Sequence, residues 1–178
     1  RGSSPINYMI AIRSPPADCN YWSQVGNRGW QWDDVRPFFD KAENWNGPPA
    51  AAHGRGGPLN TSAIADMPPL CQAAIDAAGQ IGVPFHADLN NLPFGLGDHI
   101  GWIQQTRRGR RRFSAAVSYL HPAMKRPNLR VVTGALVHRV LFDGTRATGV
   151  AFARDGVVEQ ADAAREVVLS GGAIGSPH

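Results

Sequence analysis

Glycine and proline divide this chain into short segments, and this division limits the possible folds more than any other feature. The 178 residues include 20 glycines and 14 prolines, which is above ordinary usage for a globular chain. Proline removes a backbone hydrogen-bond donor and fixes φ, while glycine favours turns. The sequence therefore predicts short helices and strands joined by many turns.

Hydrophobic spacing predicts two helices in the first half of the chain. Apolar residues recur at helical spacing from Trp32 to about Asn46, and acidic residues stand in the first turn, where they suit the helix dipole. A second helix with a small-residue face is predicted from Pro68 to Gln80. Residues 1–30, 47–62 and 83–101 are predicted to be loops.

Strand signals dominate the second half. The turn dipeptides Asp143-Gly144 and Asp155-Gly156 separate alternating segments, a pattern typical of an antiparallel meander. The last predicted strand is nearly all apolar, as in a strand buried on both faces. The predicted strands cover residues 102–106, 129–133, 136–142, 148–153 and 166–170, with a short helix at 114–120.

Composition and charge exclude several classes of protein. Apolar residues make up 43% and charged residues 18%, which argues against a disordered chain. No run approaches the length of a membrane-spanning helix, so no transmembrane segment is predicted. The net charge is +4. It comes almost entirely from arginine, and five of the arginines lie in the segment Arg107–Arg112.

The arginine-rich segment Arg107–Arg112 allows one alternative function, binding of nucleic acid. Clustered arginines neutralise phosphates, and Phe113 beside them can stack on a base. A short run without a basic face elsewhere is more typical of a solvated turn. Nucleic acid is therefore not an expected partner, and salt-dependent binding to DNA would favour the alternative.

Glycine-rich segments near the two ends have backbones suited to close ligand approach. Gly2-Ser3-Ser4 opens the chain, and Gly171-Gly172 precedes Ser176-Pro177, a helix N-cap followed by proline at the first helical position. Without a Cβ, main-chain N–H groups can reach an anion or a flat ring. Either segment alone is also compatible with an ordinary tight turn.

Short motifs follow one another in order along nearly the whole chain. They are Gly2-Ser3-Ser4-Pro5-Ile6-Asn7-Tyr8-Met9-Ile10, Gly29-Trp30-Gln31-Trp32-Asp33-Asp34-Val35, His53-Gly54-Arg55-Gly56-Gly57-Pro58-Leu59, Ser114-Ala115-Ala116 with Tyr119-Leu120, Pro127-Asn128-Leu129, and residues 166–177. In this order they resemble the glucose–methanol–choline family of FAD-dependent oxidoreductases, near its choline and alcohol dehydrogenase branch.

The resemblance implies a flavoenzyme of two domains. One is a Rossmann-like FAD-binding domain and the other a substrate domain with an antiparallel sheet, so the expected fold class is mixed α/β and α+β. The implied reaction oxidises the CH–OH group of choline or another primary alcohol: a histidine takes the hydroxyl proton and the carbon gives a hydride to the flavin. FAD is the expected cofactor, and the electron acceptor is left open.

The resemblance also implies contacts to FAD at particular positions. These are Gly2, Ser3, Asn7, Tyr8, Met9, Ile10, Val137 and Ala173. The first two are expected near the pyrophosphate or ribityl chain, and the next four near the isoalloxazine ring. The backbone of Val137 is expected to meet the adenine, although a plain strand-core residue is the alternative. Ala173 lies in the family's second glycine signature.

The resemblance implies an internal portion of a longer enzyme. Residues 1–46 are expected in the FAD-binding domain, residues 47–164 mostly in the substrate domain, and residues 165–178 again in the FAD-binding domain. The G-x-G-x-x-G fingerprint is absent, and no residue matches the family's catalytic histidine, so no catalytic residue is expected in this chain. A non-catalytic portion or remnant is the second interpretation.

Departures from the family pattern bear on the cofactor. Arg1 stands where relatives usually have glycine. Ile6 stands where some relatives attach FAD through a histidine, so non-covalent FAD is expected. Cys19 and Cys71 are expected to be reduced thiols in a cytoplasmic protein, with membrane association of the whole enzyme left open.

The histidines do not predict a metal site. His53, within the His-Gly-x-Gly-Gly-Pro loop, is expected to make a structural hydrogen bond. His86 and His99 flank a loop with Asp88 and Asp98, but a metal needs three or four convergent ligands. No metal is therefore expected.

Overall fold

The computed structural model describes residues 2–64, 67–91 and 97–177. The chain divides into two compact units, one of Ser3–Pro122 and one of Ala123–His178, and Gly2 is grouped with the second. The helices and strands of the first unit are α1 (Pro16–Gln24), α2 (Trp32–Ala42), β1 (Glu43–Trp45), β2 (Leu59–Thr61), α3 (Pro69–Gln80), β3 (Phe85–His86), a 3₁₀ turn (Leu89–Asn91), β4 (Ile100–Gly101), β5 (Arg107–Arg108), β6 (Arg111–Arg112) and a π-helical turn (Ala116–Leu120).

The second unit follows a short helix at the junction. That helix is α4 (His121–Ala123), and the elements of the second unit are β7 (Ala135–Asp143), β8 (Arg146–Arg154), β9 (Val157–Asp162) and α5 (Gly172–Gly175). The mixture of helices and strands agrees with the predicted mixed fold class. The expected domain boundaries at residues 46 and 164 stay a prediction.

Helix α1 corrects the prediction of a loop over residues 1–30. Pro15 and Pro16 stand at its N-cap and first position, where the missing N–H costs nothing, and Asp18 lies in the first turn. The helix buries only Cys19. Without an apolar stripe, hydrophobic spacing carried no helix signal, and the paired prolines were the signal that mattered.

Helices α2 and α3 confirm the two predicted helices with one boundary corrected. Helix α3 begins one residue after the predicted start and ends at Gln80. Helix α2 ends at Ala42 rather than near Asn46, because Glu43–Trp45 leaves the helix as strand β1 and pairs in parallel with β2. Pro37 is the sixth residue of α2, beyond the first turn, so the helix lacks the hydrogen bond that a backbone N–H would donate at this position.

The buried side chains of the first unit are mostly polar. They include Trp45, Cys19 and Ile75 among apolar residues, and Glu43, Asn60, Thr61, Ser62, Gln104, Ser114 and Ser118 among polar ones. Such groups are tolerated in an interior only when they are hydrogen-bonded. Among the described residues, every buried side-chain nitrogen and oxygen has a partner.

The segment predicted as a strand over residues 102–106 is not a regular strand. Gln105 instead forms isolated antiparallel bridges to Ile10 and Ser62, and the Gln104 side chain is fully buried. The alternation in sequence therefore marks a polar residue turned inward. Residues 104–106 thereby hold residues 9–11 through backbone hydrogen bonds.

Strands β7 and β8 confirm two strands of the predicted antiparallel meander, and its third strand, β9, lies over residues 157–162, where no strand was predicted. They pair in the order β7-β8-β9. Asp155 and Gly156 both have positive φ at the β8–β9 turn, as the Asp-Gly dipeptide predicts for a tight hairpin. Central strand β8 carries the buried Ala151 and Phe152, and β7 lies at the edge with register shifts after Val137 and Leu141.

Two predicted strands are absent from the second unit. Residues 129–133 and 166–170 form no strand, and Val168 and Leu169 are 75% and 58% exposed. A strand needs a neighbour for its backbone N–H and C=O groups, and no described strand pairs with either segment. An apolar run alone therefore did not make a buried strand.

None of the helices in the described part of the chain has both the length and the apolarity needed to cross a membrane.

Gly54 tests the close packing of the loop against helix α2. A Cβ at Gly54 would overlap the backbone carbonyl of Asp40, whereas a Cβ at Gly79 in α3 would meet open space. We expect Gly54→Ala to lower the free energy of unfolding by about 1–3 kcal/mol. The control Gly79→Ala should raise it by up to about 1 kcal/mol. Denaturant unfolding measures both, and equal stabilities would contradict the packing.

Candidate functional site

Residues 2–10 form a turn followed by an extended exit. The carbonyl of Ser3 accepts hydrogen bonds from the N–H groups of Ile6 and Asn7 at 2.9 and 2.8 Å. Ile10 then bridges to Gln105 in antiparallel fashion. The segment is therefore a closed loop with an ordered base.

Asn7 and Met9 give the loop its conformation. The Asn7 Oδ1 accepts a hydrogen bond from the Met9 N–H at 3.0 Å, a local side-chain turn. Met9 has φ of 62°, in the left-handed region that a residue with a side chain rarely adopts. Its carbonyl accepts from the Thr106 N–H at 2.7 Å. Such a backbone persists only where surrounding contacts hold it.

Arg112 holds the loop from the arginine-rich hairpin. Its Nη1 donates to the carbonyls of Ser4 and Asn7 at 3.1 and 2.6 Å and to the Asn7 Oδ1 at 3.1 Å. The Ser4 Oγ accepts from the Ala115 N–H at 3.1 Å. Charge-assisted hydrogen bonds of this kind are stronger than neutral ones, so the loop is held at both Ser4 and Asn7.

The apolar side chains of the loop face solvent. Ile6 and Tyr8 are 85% and 84% exposed, and Ile10 is half exposed. No atom in the described ranges accepts a hydrogen bond from the backbone N–H of Ser3 or Ser4, and a Cβ at Gly2 would meet open space. The loop therefore combines a fixed backbone with one exposed aromatic ring, exposed apolar side chains and available donors, which suits contact with a flat, partly anionic ligand.

A cluster of buried charges lies in the same unit, with Glu43 near its centre. The Glu43 carboxylate accepts hydrogen bonds from Thr61 Oγ1 at 2.6 Å and from the Gly54 N–H at 2.9 Å. It also pairs with Arg13 Nη2 at 2.7 Å. Burial opposes its ionisation, but hydrogen bonds from His53, Thr61 and Gly54 together outweigh that effect and lower the pKa of Glu43 to about 2.

His53 lies between two carboxylates. Its Nδ1 is 3.1 Å from Glu43 Oε1 and its Nε2 is 2.8 Å from Asp88 Oδ2. Its ring stacks on Trp45 with centroids 4.0 Å apart. Burial alone would lower its pKa, but the hydrogen bonds to Asp88 and Glu43 raise it to about 9. The predicted structural hydrogen bond of His53 is confirmed, and it is made twice.

Arg13 connects this cluster to the segment that follows the loop. Its guanidinium also pairs with Asp40 Oδ1 at 2.7 Å and lies over the Phe39 ring at 5.7 Å. The described residues contain no group of three or more potential ligands arranged to hold a metal ion. Each carboxylate of the cluster instead pairs with Arg13 or His53. The cluster therefore has a structural role and supports the segment that follows the loop.

The second unit carries the other two predicted positions. A groove of about 740 Å³ lies beside the three-stranded sheet. Its lining comprises residues 137–140 on β7, 149–150 on β8, 161–162 on β9, and residues 166–171 with Gly175 and Ser176. Val137 lies on edge strand β7, half exposed and next to the register shift. Ala173 lies in helix α5. The structure thus places six of the predicted positions along residues 2–10 and two in the second unit.

Comparison with known proteins identifies the family. The model of the GMC oxidoreductase family matches residues 2–178. This chain belongs to that family. The resemblance in the sequence motifs is thereby confirmed.

Choline dehydrogenases are among the curated relatives of this chain. The mitochondrial choline dehydrogenases of Mus musculus and Homo sapiens are 43% and 40% identical over 176 residues, and the oxygen-dependent choline dehydrogenase of Rhizobium johnstonii is 38% identical. The alignments cover 99% of this chain and 29–31% of those proteins. The chain therefore spans about 30% of the length of these relatives.

Two solved structures also align with this chain. An FAD-dependent oxidoreductase from Chaetomium thermophilum aligns with a TM-score of 0.88 and 27% identity over 99% of this chain and 32% of its own. Pyridoxine 4-oxidase from Mesorbium loti aligns with a TM-score of 0.78 and 30% identity, covering 90% of this chain and 31% of that one. The mixed helix and strand fold is that of FAD-dependent oxidoreductases.

Sequence reasoning missed the residues that support the loop. The arginine run predicts a solvated turn at Arg112, and no motif assigns a supporting role to Arg13, Glu43 or Asp88. Their partners lie up to 108 residues away in sequence, so no local spacing reveals them. Only the His53 loop carried a signal.

The stability of this GMC chain should depend on pH through Glu43 and His53. The His53 pKa is raised from 6.5 to about 9, so its contribution is complete below pH 6.5 and is lost as pH rises through about 9. The Glu43 pKa is lowered from 4.5 to about 2, so its contribution is complete above pH 4.5 and is lost as pH falls through about 2. Thermal unfolding from pH 2 to 10 measures both limbs.

The matched variants assign each limb to its residue. His53→Gln should flatten the decline between pH 6.5 and 9, and Glu43→Gln the decline between pH 4.5 and 2. An alkaline limb of unchanged slope in His53→Gln would contradict a charged His53 in the folded protein.

Arg112→Lys should release the loop. All three bonds to the loop come from Arg112 Nη1, and a lysine ends one bond short of that atom. Loss of a charged hydrogen bond is worth about 1.5–3 kcal/mol. Hydrogen exchange at the Ile6, Asn7 and Met9 amides should therefore accelerate by about tenfold or more. The exposed neighbour Arg111 provides the control Arg111→Lys, which should leave these amides protected; equal exchange in both variants would refute the clamp.

Proposed function

We propose that the protein carrying this chain is an FAD-dependent oxidoreductase that acts on the CH–OH group of a small primary alcohol, with choline as the leading candidate. The observation that carries the proposal is the loop of residues 2–10, whose backbone is fixed while the Tyr8 ring and its apolar neighbours are exposed. Membership of the GMC family and identity of up to 43% to choline dehydrogenases support the reaction class and the substrate.

The residues of the loop fit FAD. The N–H groups of Ser3 and Ser4, which donate to no atom in the described ranges, and the open space at Gly2 suit a phosphate or ribityl chain, because backbone donors without a nearby Cβ bind anions closely. Exposed Tyr8 and the strained Met9 backbone suit the edge of a flat ring. These residues would hold and orient the cofactor, and bound FAD supplies the redox chemistry by accepting a hydride from the alcohol carbon.

The second unit supports an adenine contact by Val137. Edge strand β7 leaves backbone donors and acceptors unpaired on its outer side, and the register shift after Val137 turns that backbone locally. Ala173, in the glycine-rich helix α5, would adjoin the dinucleotide fold. A Rossmann-like FAD-binding domain formed by residues 1–46 and 165–178, with 47–164 mostly in the substrate domain, completes this proposal.

The catalytic histidine of the proposed reaction has no counterpart among the motifs of this chain. The loop of residues 2–10, together with Val137 and Ala173, would bind and orient FAD. The alcohol's hydroxyl proton would be taken by a histidine elsewhere in the whole protein. A non-catalytic remnant would instead show no activity, so one experiment on the whole protein separates the two alternatives.

No observation favours nucleic-acid binding over this proposal. Two arginines of the run are engaged within the fold: Arg107 donates to Ser62 Oγ and the Ala63 carbonyl, and Arg112 holds the loop.

The full-length protein tests the function directly. We expect it to purify with the visible spectrum of oxidised flavin, released by denaturation because the linkage is non-covalent. Choline should bleach the flavin under anaerobic conditions. Flavin without bleaching by any alcohol in a panel would favour the remnant, and a protein without flavin that takes up no added FAD would refute the proposal.

Tyr8 and Tyr21 form a matched pair for the cofactor contact. Both tyrosines are exposed, but only Tyr8 lies on the proposed flavin loop. Tyr8→Ala should raise the FAD dissociation constant about fivefold to tenfold, since a stacked or edge contact of a ring is worth about 1 kcal/mol. Tyr21→Ala should leave it unchanged, and titration of apoprotein with FAD measures both. Equal affinities would place the flavin elsewhere.

A further inference from the structure

The Asn90 carboxamide bridges two segments of the first unit. Its Nδ2 donates to the carbonyl of Ala11 at 2.8 Å and to Gln104 Oε1 at 3.0 Å. Its Oδ1 accepts from the Arg13 N–H at 2.8 Å. Both the nitrogen and the oxygen of this side chain are therefore engaged, although Asn90 lies 77 residues from Arg13.

This pairing reproduces a strand contact with a side chain. The Ala11 carbonyl and the Arg13 N–H flank Ile12, and one residue of a parallel neighbouring strand binds such a pair through its own backbone. A carboxamide carries an N–H donor and a carbonyl acceptor in one plane, as a peptide group does, and its second N–H remains for Gln104. The Asn90 side chain thus makes the two hydrogen bonds to residues 11–13 that a neighbouring parallel strand would make.

Asn90 is itself held by the buried charges. Its N–H donates to Asp88 Oδ1 at 3.1 Å, and Gln104 Nε2 donates to the same oxygen at 2.9 Å. His53 pairs with the other oxygen of Asp88. The position of the Asn90 carboxamide is therefore fixed, because its backbone and its neighbour Gln104 are both hydrogen-bonded to Asp88.

The other side of the same segment is anchored independently. The Arg13 guanidinium pairs with Glu43 and Asp40, and the Ala11 N–H donates to the Gln104 carbonyl at 2.8 Å. Residues 11–13 are thus tied to the ion cluster through backbone and side chain, and residues 7–10 continue directly from them.

We propose that Asn90 is a positioning residue: its carboxamide ties residues 11–13 to the buried ion cluster and so sets where residues 7–10 meet the flavin. This inference rests on the proposed function for its FAD contact. Asn90 itself does not touch the cofactor, and it acts through the segment that it holds.

The test compares two neighbouring asparagines in the full-length protein. Asn90→Ala should accelerate hydrogen exchange at the Arg13 amide by about tenfold or more and raise the FAD dissociation constant by about tenfold, in line with loss of one or two hydrogen bonds. Asn91, in the same 3₁₀ turn, has an exposed side chain. Asn91→Ala should leave both quantities unchanged.

Asn90→Asp adds a readout that a general loss of stability would not give. The introduced carboxylate can accept from the Arg13 N–H, but it donates to the Ala11 carbonyl only when protonated. The charged groups around it are Asp88, with His53 on the far side of Asp88, and Arg13 with its partners Glu43 and Asp40. FAD affinity of this variant should therefore recover as pH falls, whereas that of Asn90→Ala should not.

The outcomes separate the inference from the proposed function. Wild-type affinity and a protected Arg13 amide in Asn90→Ala would overturn the positioning role. If Asn90→Ala fails to fold, the pH profile of Asn90→Asp decides, and a flat profile overturns the role. If the wild-type protein binds no FAD, the proposed function and the flavin contact both fail, and exchange at the Arg13 amide alone decides whether Asn90 holds the segment.

Discussion

The pairing of Glu43 with His53 is the interaction on which the first unit depends. The Glu43 carboxylate joins the end of α2 to strand β2 through Thr61, to the glycine loop through Gly54 and to the loop segment through Arg13. The side chains of His53 and Glu43 are 0% and 9% exposed, so water cannot replace a lost partner. Removing one member of such a group is strongly destabilising because it leaves the other charge buried and unpaired.

A polar interior explains how so loop-rich a unit adopts one structure. Apolar burial is non-directional, and the first unit buries few large apolar side chains. Hydrogen bonds and ion pairs require particular partners at particular angles. The chain between α1 and the hairpin β5–β6 is mostly irregular, and its register is set by these specific contacts. The Met9 backbone and the fully buried Gln104 both exist because neighbouring polar groups are satisfied only in this arrangement.

The parts of the fold that sequence reasoning predicted are those with local causes. The meander followed from Asp-Gly turns and alternation, and α2 and α3 from helical spacing. Helix α1 was missed because it buries almost no apolar surface, and residues 166–170 were wrongly assigned because an apolar run signals burial without supplying a strand partner. Partners far apart in sequence, such as Asn90 and Arg13 or Arg112 and Asn7, produce no periodic pattern in the sequence from which their contact could be predicted.

The candidate site was predicted through the order of motifs rather than through its geometry. Motif order located the loop of residues 2–10, but it did not reveal that an arginine from the predicted solvated turn closes that loop. There is a physical reason why the residues that hold the loop are distinct from those proposed to contact FAD. The residues proposed to contact FAD must stay exposed to receive it, so their positions are held by groups outside the contact surface, and preorganisation of this kind reduces the entropy lost on binding. Changes at Arg112 or Asn90 are therefore expected to alter cofactor binding without altering any atom that touches the cofactor.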